Sequence, residues 1–124
     1  MRKIDFFDIY VENMARAKEF YEIVLDTKLT KMDDPNDDSV QMMVFEDDFK
    51  SHGTGGALVK VKGANPGAGG TMVYFSCEDC ATEEARAGES GGKIVKQKFS
   101  IGKHGFVSIV LDTEGNMIGL HSMK

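Results

Sequence analysis

A chain of 124 residues is the size of one domain and long enough to bury a core. Its composition, 41% hydrophobic and 28% charged, excludes a disordered chain, and no run approaches the ~20 apolar residues that span a bilayer. Fifteen Lys and Arg against twenty Asp and Glu give a net charge of −5 with no basic cluster, which argues against a nucleic-acid partner.

The opening residues Met1-Arg2-Lys3-Ile4-Asp5 meet an acid before any apolar run of signal-peptide length, so a cytoplasmic location is expected. Residues 4 to 11 are rich in aromatic and branched side chains and read as a strand, and Asn13 then stands where a helix N-cap belongs. From Met14 to about Asp26, Ala17, Phe20, Tyr21, Val24 and Leu25 recur at spacings of three and four, predicting one buried helical stripe. Strands are predicted near Leu29 to Met32, Val40 to Phe45 and Ala57 to Val61. The acidic Asp33-Asp34-Pro35-Asn36-Asp37-Asp38 separates the first two as a solvated turn, with calcium binding the lesser reading. Gly53-Thr54-Gly55-Gly56 reads as a turn before the third, and the preceding His52 receives no role.

The run from Gly63 to Gly70 is the strongest break in the chain and reads as a linker. After it the pattern starts over, with a strand from Thr71 to Cys77 and a helix from about Cys80 to Glu89 that ends at Gly91-Gly92. Strands follow at Ile94 to Phe99, Phe106 to Leu111 and Met117 to His121. Cys77-x-x-Cys80 has a redox or half-zinc spacing, but no second pair exists and a structural role is the simpler reading. The order strand-helix-strand-strand-strand thus occurs twice, over modules of about 3–62 and 70–124, each too small to stand alone. The expected fold is α+β, a single domain of two βαβββ modules forming a curved mixed sheet around a cavity. Alternation turns Phe7, Ile9 and Val11 toward the first helix, and Phe6, Asp8 and Tyr10 toward the cavity. The same parity sends Met72, Tyr74, Ser76, Met117, Gly119 and His121 to the cavity side.

Three motifs resemble those of the vicinal oxygen chelate superfamily, the glyoxalase, bleomycin-resistance and dioxygenase group. Val11-Glu12-Asn13, Ala15-Arg16-Ala17 and Phe20-Tyr21-x-x-x-Leu25 are similar to its first strand-to-helix signature. Ser76-Cys77-Glu78-Asp79 with Gly91-Gly92-Lys93 resembles the entry to its second module, and Asp112-Thr113-Glu114-Gly115-Asn116-x-Ile118-Gly119-Leu120 its closing turn and strand. In metal-dependent members the resemblance implies ligands on four central strands. Here the first, fifth and eighth strands carry Phe6, Met72 and Gly119 at those positions, and the fourth offers Ala57, Leu58 and Val59. None supplies the carboxylate or imidazole donors a divalent ion requires, so no metal and no cofactor are expected, and glyoxalase I or dioxygenase activity is disfavoured.

The expected function is therefore metal-free binding of a small, partly apolar molecule, with Phe6, Tyr10, Met72 and Tyr74 as walls and His104, in the Gly102-Lys103-His104-Gly105 turn, on a mobile loop. The alternative is a metal-independent acid-base enzyme of isomerase or lyase type, with His121 as base oriented by Asp8. Asp8 and His121 as plain hydrogen-bonding residues at the rim, or as contacts to a partner subunit, is the blander reading. A homodimer is expected from the resemblance, since many relatives complete the pocket with a second subunit.

Overall fold

The structure is a computed structural model that describes residues 3–46 and 54–124. His52 and Gly53 of the predicted Gly-rich turn lie outside the described residues. In chain order the elements are β1 (Ile4–Tyr10), α1 (Met14–Val24), β2 (Leu29–Asp33), β3 (Gln41–Phe45), β4 (Gly55–Lys60), β5 (Thr71–Ser76), α2 (Cys80–Glu89), β6 (Lys93–Ser100), a 3₁₀ turn (Gly102–His104), β7 (Phe106–Leu111) and β8 (Met117–Ser122). The α+β class and the doubled βαβββ order are both present. The chain divides into two compact units, one of residues 6–71 and one of residues 72–124 joined by residues 3–5. The cut therefore falls within β1, a few residues later than the sequence modules suggest. No helix among the described residues is long and apolar enough to cross a membrane.

In the unit of residues 6–71 the strand order is β2-β3-β4-β1, with β4 parallel to β1 and the other pairs antiparallel. Asn13 caps α1 by accepting a hydrogen bond from the Arg16 N–H at 3.0 Å, satisfying one of the amides that a helix start leaves without a partner. Asn13→Ala should cost about 1 kcal/mol in chemical denaturation, with Asn13→Asp restoring most of it. The core holds Val11, Leu29 and Leu58, against which α1 lays Met14, Ala17 and Tyr21. This seam is narrower than predicted: Phe20, Val24 and Leu25 are each more than half exposed. Phe20 stands beside the seam, edge-on to Tyr21 with ring centroids 5.1 Å apart, and Leu25 is already the C-cap. The helix ends at Val24 and the following Asp26 turns the chain through φ +47°.

Gly55 and Gly56 are strand residues, not a turn as the glycine cluster suggested. Gly56 pairs with Phe7, and a Cβ there would collide with the Phe7 carbonyl and ring. Glycine here serves close approach of two strands.

In the unit of residues 72–124 the order is β5-β8-β7-β6, with β5 and β8 parallel and the remaining pairs antiparallel. Its core contains Cys77, Cys80, Val110 and Leu120, with Phe75, Ile94 and Ile118 packed on them. Both cysteines are buried and neither is in a disulfide, and Cys80 opens α2 with its N–H donating to Ser122 Oγ at 3.0 Å. Asp79 caps α2 through the Ala81 N–H at 3.0 Å, and the same oxygen receives Lys98 Nζ at 2.9 Å.

Several carboxylates lie below their ordinary range, Asp79 and Glu22 among them. Lys98, and then the Ala81 amide, hold Asp79 down, while the Leu29 amide, followed by Lys18, does so for Glu22. A group depressed on folding stabilises the fold above its unfolded value, 3.8 for Asp79 and 4.5 for Glu22, and that contribution is lost as pH falls through the folded value. Urea denaturation between pH 6 and 2 should show a decline over this acid range that is shallower in Asp79→Asn than in the parent. Equal slopes would mean that Asp79 takes no part in acid unfolding.

Candidate functional site

Strand register separates two faces in each unit. In residues 72–124, Phe75, Val110, Ile118 and Leu120 pack under α2, so their neighbours Tyr74, Gly119 and His121 point to the opposite, helix-free face. Cross-strand pairing places Ile109 beside Gly119, and Ser76 and Val107 beside His121. Met72 shares the parity of Tyr74, and both are almost wholly buried. In residues 6–71, Ile9, Met43 and Phe45 belong to the α1 side, leaving Phe6, Asp8 and Tyr10 with Ala57 and Val59 on the helix-free face. An open polar groove of about 590 Å³ at the start of α1, lined by Glu12, Arg16, Gln41 and Lys60 among others, contains none of these residues.

The chelating positions inferred from the sequence do not suit a metal. Phe6 and Met72 offer a ring and a thioether, and the space beside Gly119 is already taken: a Cβ built on it would collide with the ring of Tyr74, its cross-strand partner. No side chain, and so no ligand atom, fits at position 119 while Tyr74 stays in place. Among the described residues no group of three or more His, Cys, Asp and Glu is arranged to hold a metal ion.

The polar end of this face is built on His121. Its Nδ1 lies 2.7 Å from Asp5 Oδ2, and its Nε2 lies 2.7 Å from the backbone carbonyl of His104. The His121 side chain is 11% exposed, against 32% for Asp5. Asp5 was given no role by the sequence, because its odd position groups it with Phe7 and Ile9. Backbone bonding brings it in: the Lys3 carbonyl accepts the Ser76 N–H at 2.9 Å, and Ser76 pairs with His121. His104 enters through its carbonyl and not through its ring, a contribution no sequence pattern signals. Asp8, expected as the carboxylate that orients His121, sits in the other unit opposite Ala57, and Asp5 occupies the Nδ1 position.

What emerges is a duplicated βαβββ protein whose helix-free faces, one in each unit, carry aromatic and thioether side chains. The sequence profile of the Glyoxalase/Bleomycin resistance protein/Dioxygenase superfamily matches residues 3–120, and the chain belongs to that superfamily. Solved structures agree on the fold. A hypothetical protein from Bacillus halodurans C-125 is similar at 15% identity and TM-score 0.74, with 99% of this chain and 95% of that one covered. A variant of Streptomyces coelicolor methylmalonyl-CoA epimerase in complex with 2-nitronate-propionyl-CoA aligns at 16% identity and TM-score 0.69, covering 97% and 96%. Methylmalonyl-CoA epimerase from Mycobacterium tuberculosis aligns at 14% identity and TM-score 0.68, covering 98% and 87%. No match is found among curated protein sequences.

Proposed function

We propose that the chain binds a small, partly apolar molecule without a metal ion, using the helix-free faces of its sheets. The observation behind this reading is the seating of Tyr74 on Gly119, which presents an aromatic surface and leaves no room for a side chain at position 119. Around it Met72, Ile109 and Val107 continue the apolar lining, and Ser76, His121 and Asp5 form a polar end. An apolar surface with a few convergent polar groups is the usual makeup of a small-molecule site. In the unit of residues 6–71, Phe6 and Tyr10 supply walls and Asp8 a polar anchor on its own helix-free face, while His104 belongs to the loop beside His121. The protein acts in the cytoplasm as a homodimer, and the exposed Phe20, Ile23 and Val24 of α1 supply apolar surface suited to association.

The rival reading, acid-base catalysis by His121, gains from the carboxylate on Nδ1 and loses at Nε2. A base needs a lone pair aimed at substrate, and Nε2 faces an oxygen that can only accept. Isomerisation keeps one point in its favour, since two of the similar folds are epimerases acting on an acyl-CoA.

Thermal denaturation against a panel of acyl-CoA thioesters, hydrophobic and cationic metabolites and antibiotics tests the proposal. At least one class should raise the melting temperature, by the mass-action stabilisation that binding to the folded state confers, and EDTA should leave the rise unchanged. No shift across the panel, or a shift abolished by EDTA, would sink it.

A further inference from the structure

Helix α1 commits only one side to its own core. Met14, Ala17 and Tyr21 pack on Leu29 and Leu58, and a second apolar stripe faces outward. Arg16, Phe20, Ile23 and Val24 stand at i, i+4, i+7 and i+8, neighbouring positions on one face of a helix. Phe20, Val24 and the C-cap Leu25 are more than half exposed, and Ile23 is 72% exposed. Among the described residues the other exposed large apolar side chains, Val95, Met117 and Met123, are scattered over β6, β8 and the chain beyond it. Scattered apolar residues are ordinary on a surface, but four at the end of one helix form a patch of the kind that marks an interface.

The charges at the two ends of the patch identify its occupant. Arg16 precedes it and Asp26 follows it, both exposed, and among the described residues neither is in an ion pair. The helix carries Arg16 and Lys18 against Glu19 and Glu22, so it has no basic excess to draw it to an anionic lipid surface. A base at one end and an acid at the other are self-complementary when two copies of the helix run antiparallel about a two-fold axis. With Phe20 of one copy against Ile23 of the other, Arg16 comes opposite the turn at Asp26 on both sides of the axis. We propose that a second copy of this chain covers α1, the two helices pairing antiparallel through Phe20 and Ile23 with Arg16 of each copy facing Asp26 of the other. The pairing rests on the homodimer of the proposed function and adds the face that makes it. Four apolar side chains are fewer than a permanent interface uses, so the dimer should be reversible, with a Kd on the order of micromolar.

The experiment is sedimentation velocity of the whole protein across the micromolar range, with circular dichroism of each variant to confirm its fold. Ile23→Lys puts a charge at the most exposed of the four positions and should weaken association roughly a hundredfold. Arg16→Asp and Asp26→Lys each set two like-charged pairs across the axis, and each should weaken association roughly tenfold. Mixed in equal amounts, these two variants should associate as tightly as the parent, because the mixed dimer restores both oppositely charged pairs. If Asp26→Lys unfolds the turn, which sits at φ +47°, Ile23→Lys and Arg16→Asp decide alone. A dimer that survives Ile23→Lys, or a mixture no tighter than its parts, overturns the α1 pairing and leaves the homodimer standing. A monomer at every concentration overturns both, and one that sediments with phosphatidylserine vesicles assigns α1 to a membrane surface. None of these readings uses a ligand, so small-molecule binding stands or falls separately.

Discussion

Gly119→Ala should destabilise the folded chain by about 1–3 kcal/mol, the range for forcing extra carbon into a close-packed site. Most glycine-to-alanine changes in a strand are mild or favourable, so a large loss would mark an unusual contact. The contact is the ring of Tyr74, which occupies the space an added Cβ needs. Tyr74 is almost wholly buried and cannot swing aside without giving up its own packing. A double-mutant cycle in urea isolates this term. Tyr74→Ala alone should cost several kcal/mol, roughly as other large aromatic deletions do, but in that background Gly119→Ala should cost almost nothing. Equal costs for Gly119→Ala in both backgrounds would show that the ring does not lie over the glycine, and the seating of Tyr74 would go with it. The same packing bears on the family's chemistry. Introducing a carboxylate with Gly119→Glu, even together with Met72→His, should yield no metal-dependent rise in melting temperature, because the new side chain has to displace Tyr74 before it can coordinate anything.

Much of this was legible in the sequence, for reasons that differ from element to element. Asn13 announces its helix because an N-cap acts through a local hydrogen bond, and the structure shows that bond; Asp79 caps α2 in the same way, a role the sequence reading did not assign. The faces of β1, β5 and β8 follow from strict alternation, which tertiary packing cannot change without shifting register. Glycine was harder to read. Its missing side chain suits a turn and a close strand crossing equally, and Gly56 is the second, explained only by Phe7 across the ladder. Helix α1 shows the limit of periodicity, since Phe20 and Val24 repeat at helical spacing yet lie outside the seam set by Met14, Ala17 and Tyr21. Least legible was the surround of His121. Asp5 lies 116 residues away in the chain, and the other partner is a backbone carbonyl that any residue could supply.

A comparable loss, about 2–3 kcal/mol, is expected from Glu84→Ala, because it leaves a strand amide without a partner in a half-buried place. The β6–β7 ladder shifts register between Lys96 and Phe99, so at Lys98 the strand has no regular pairing. Glu84, reaching across from α2, accepts the Lys98 N–H at 2.6 Å and the Ser108 hydroxyl at 2.8 Å. Ser108 is completely buried but has a second acceptor, the Lys96 carbonyl at 3.3 Å, and can turn to it when Glu84 is removed. The Lys98 amide has no such alternative in the ladder, so most of the loss belongs to the irregularity in β6 and little to Ser108. Glu84→Gln retains an acceptor oxygen and should cost less than half as much. In a urea series, Ser108→Ala should therefore add little to Glu84→Ala. If Glu84→Gln proved as damaging as Glu84→Ala, charge and not the acceptor would be what matters; if neither moved the midpoint, α2 would not be holding the bulge. The position matters to the site because β7 is two-sided: Ser108 points under α2, and its neighbour Val107 lies beside His121 on the helix-free face. By fixing β7 from behind, Glu84 sets the depth at which Val107 meets the imidazole, so a loosened bulge should also broaden the NMR signals of the His121 ring.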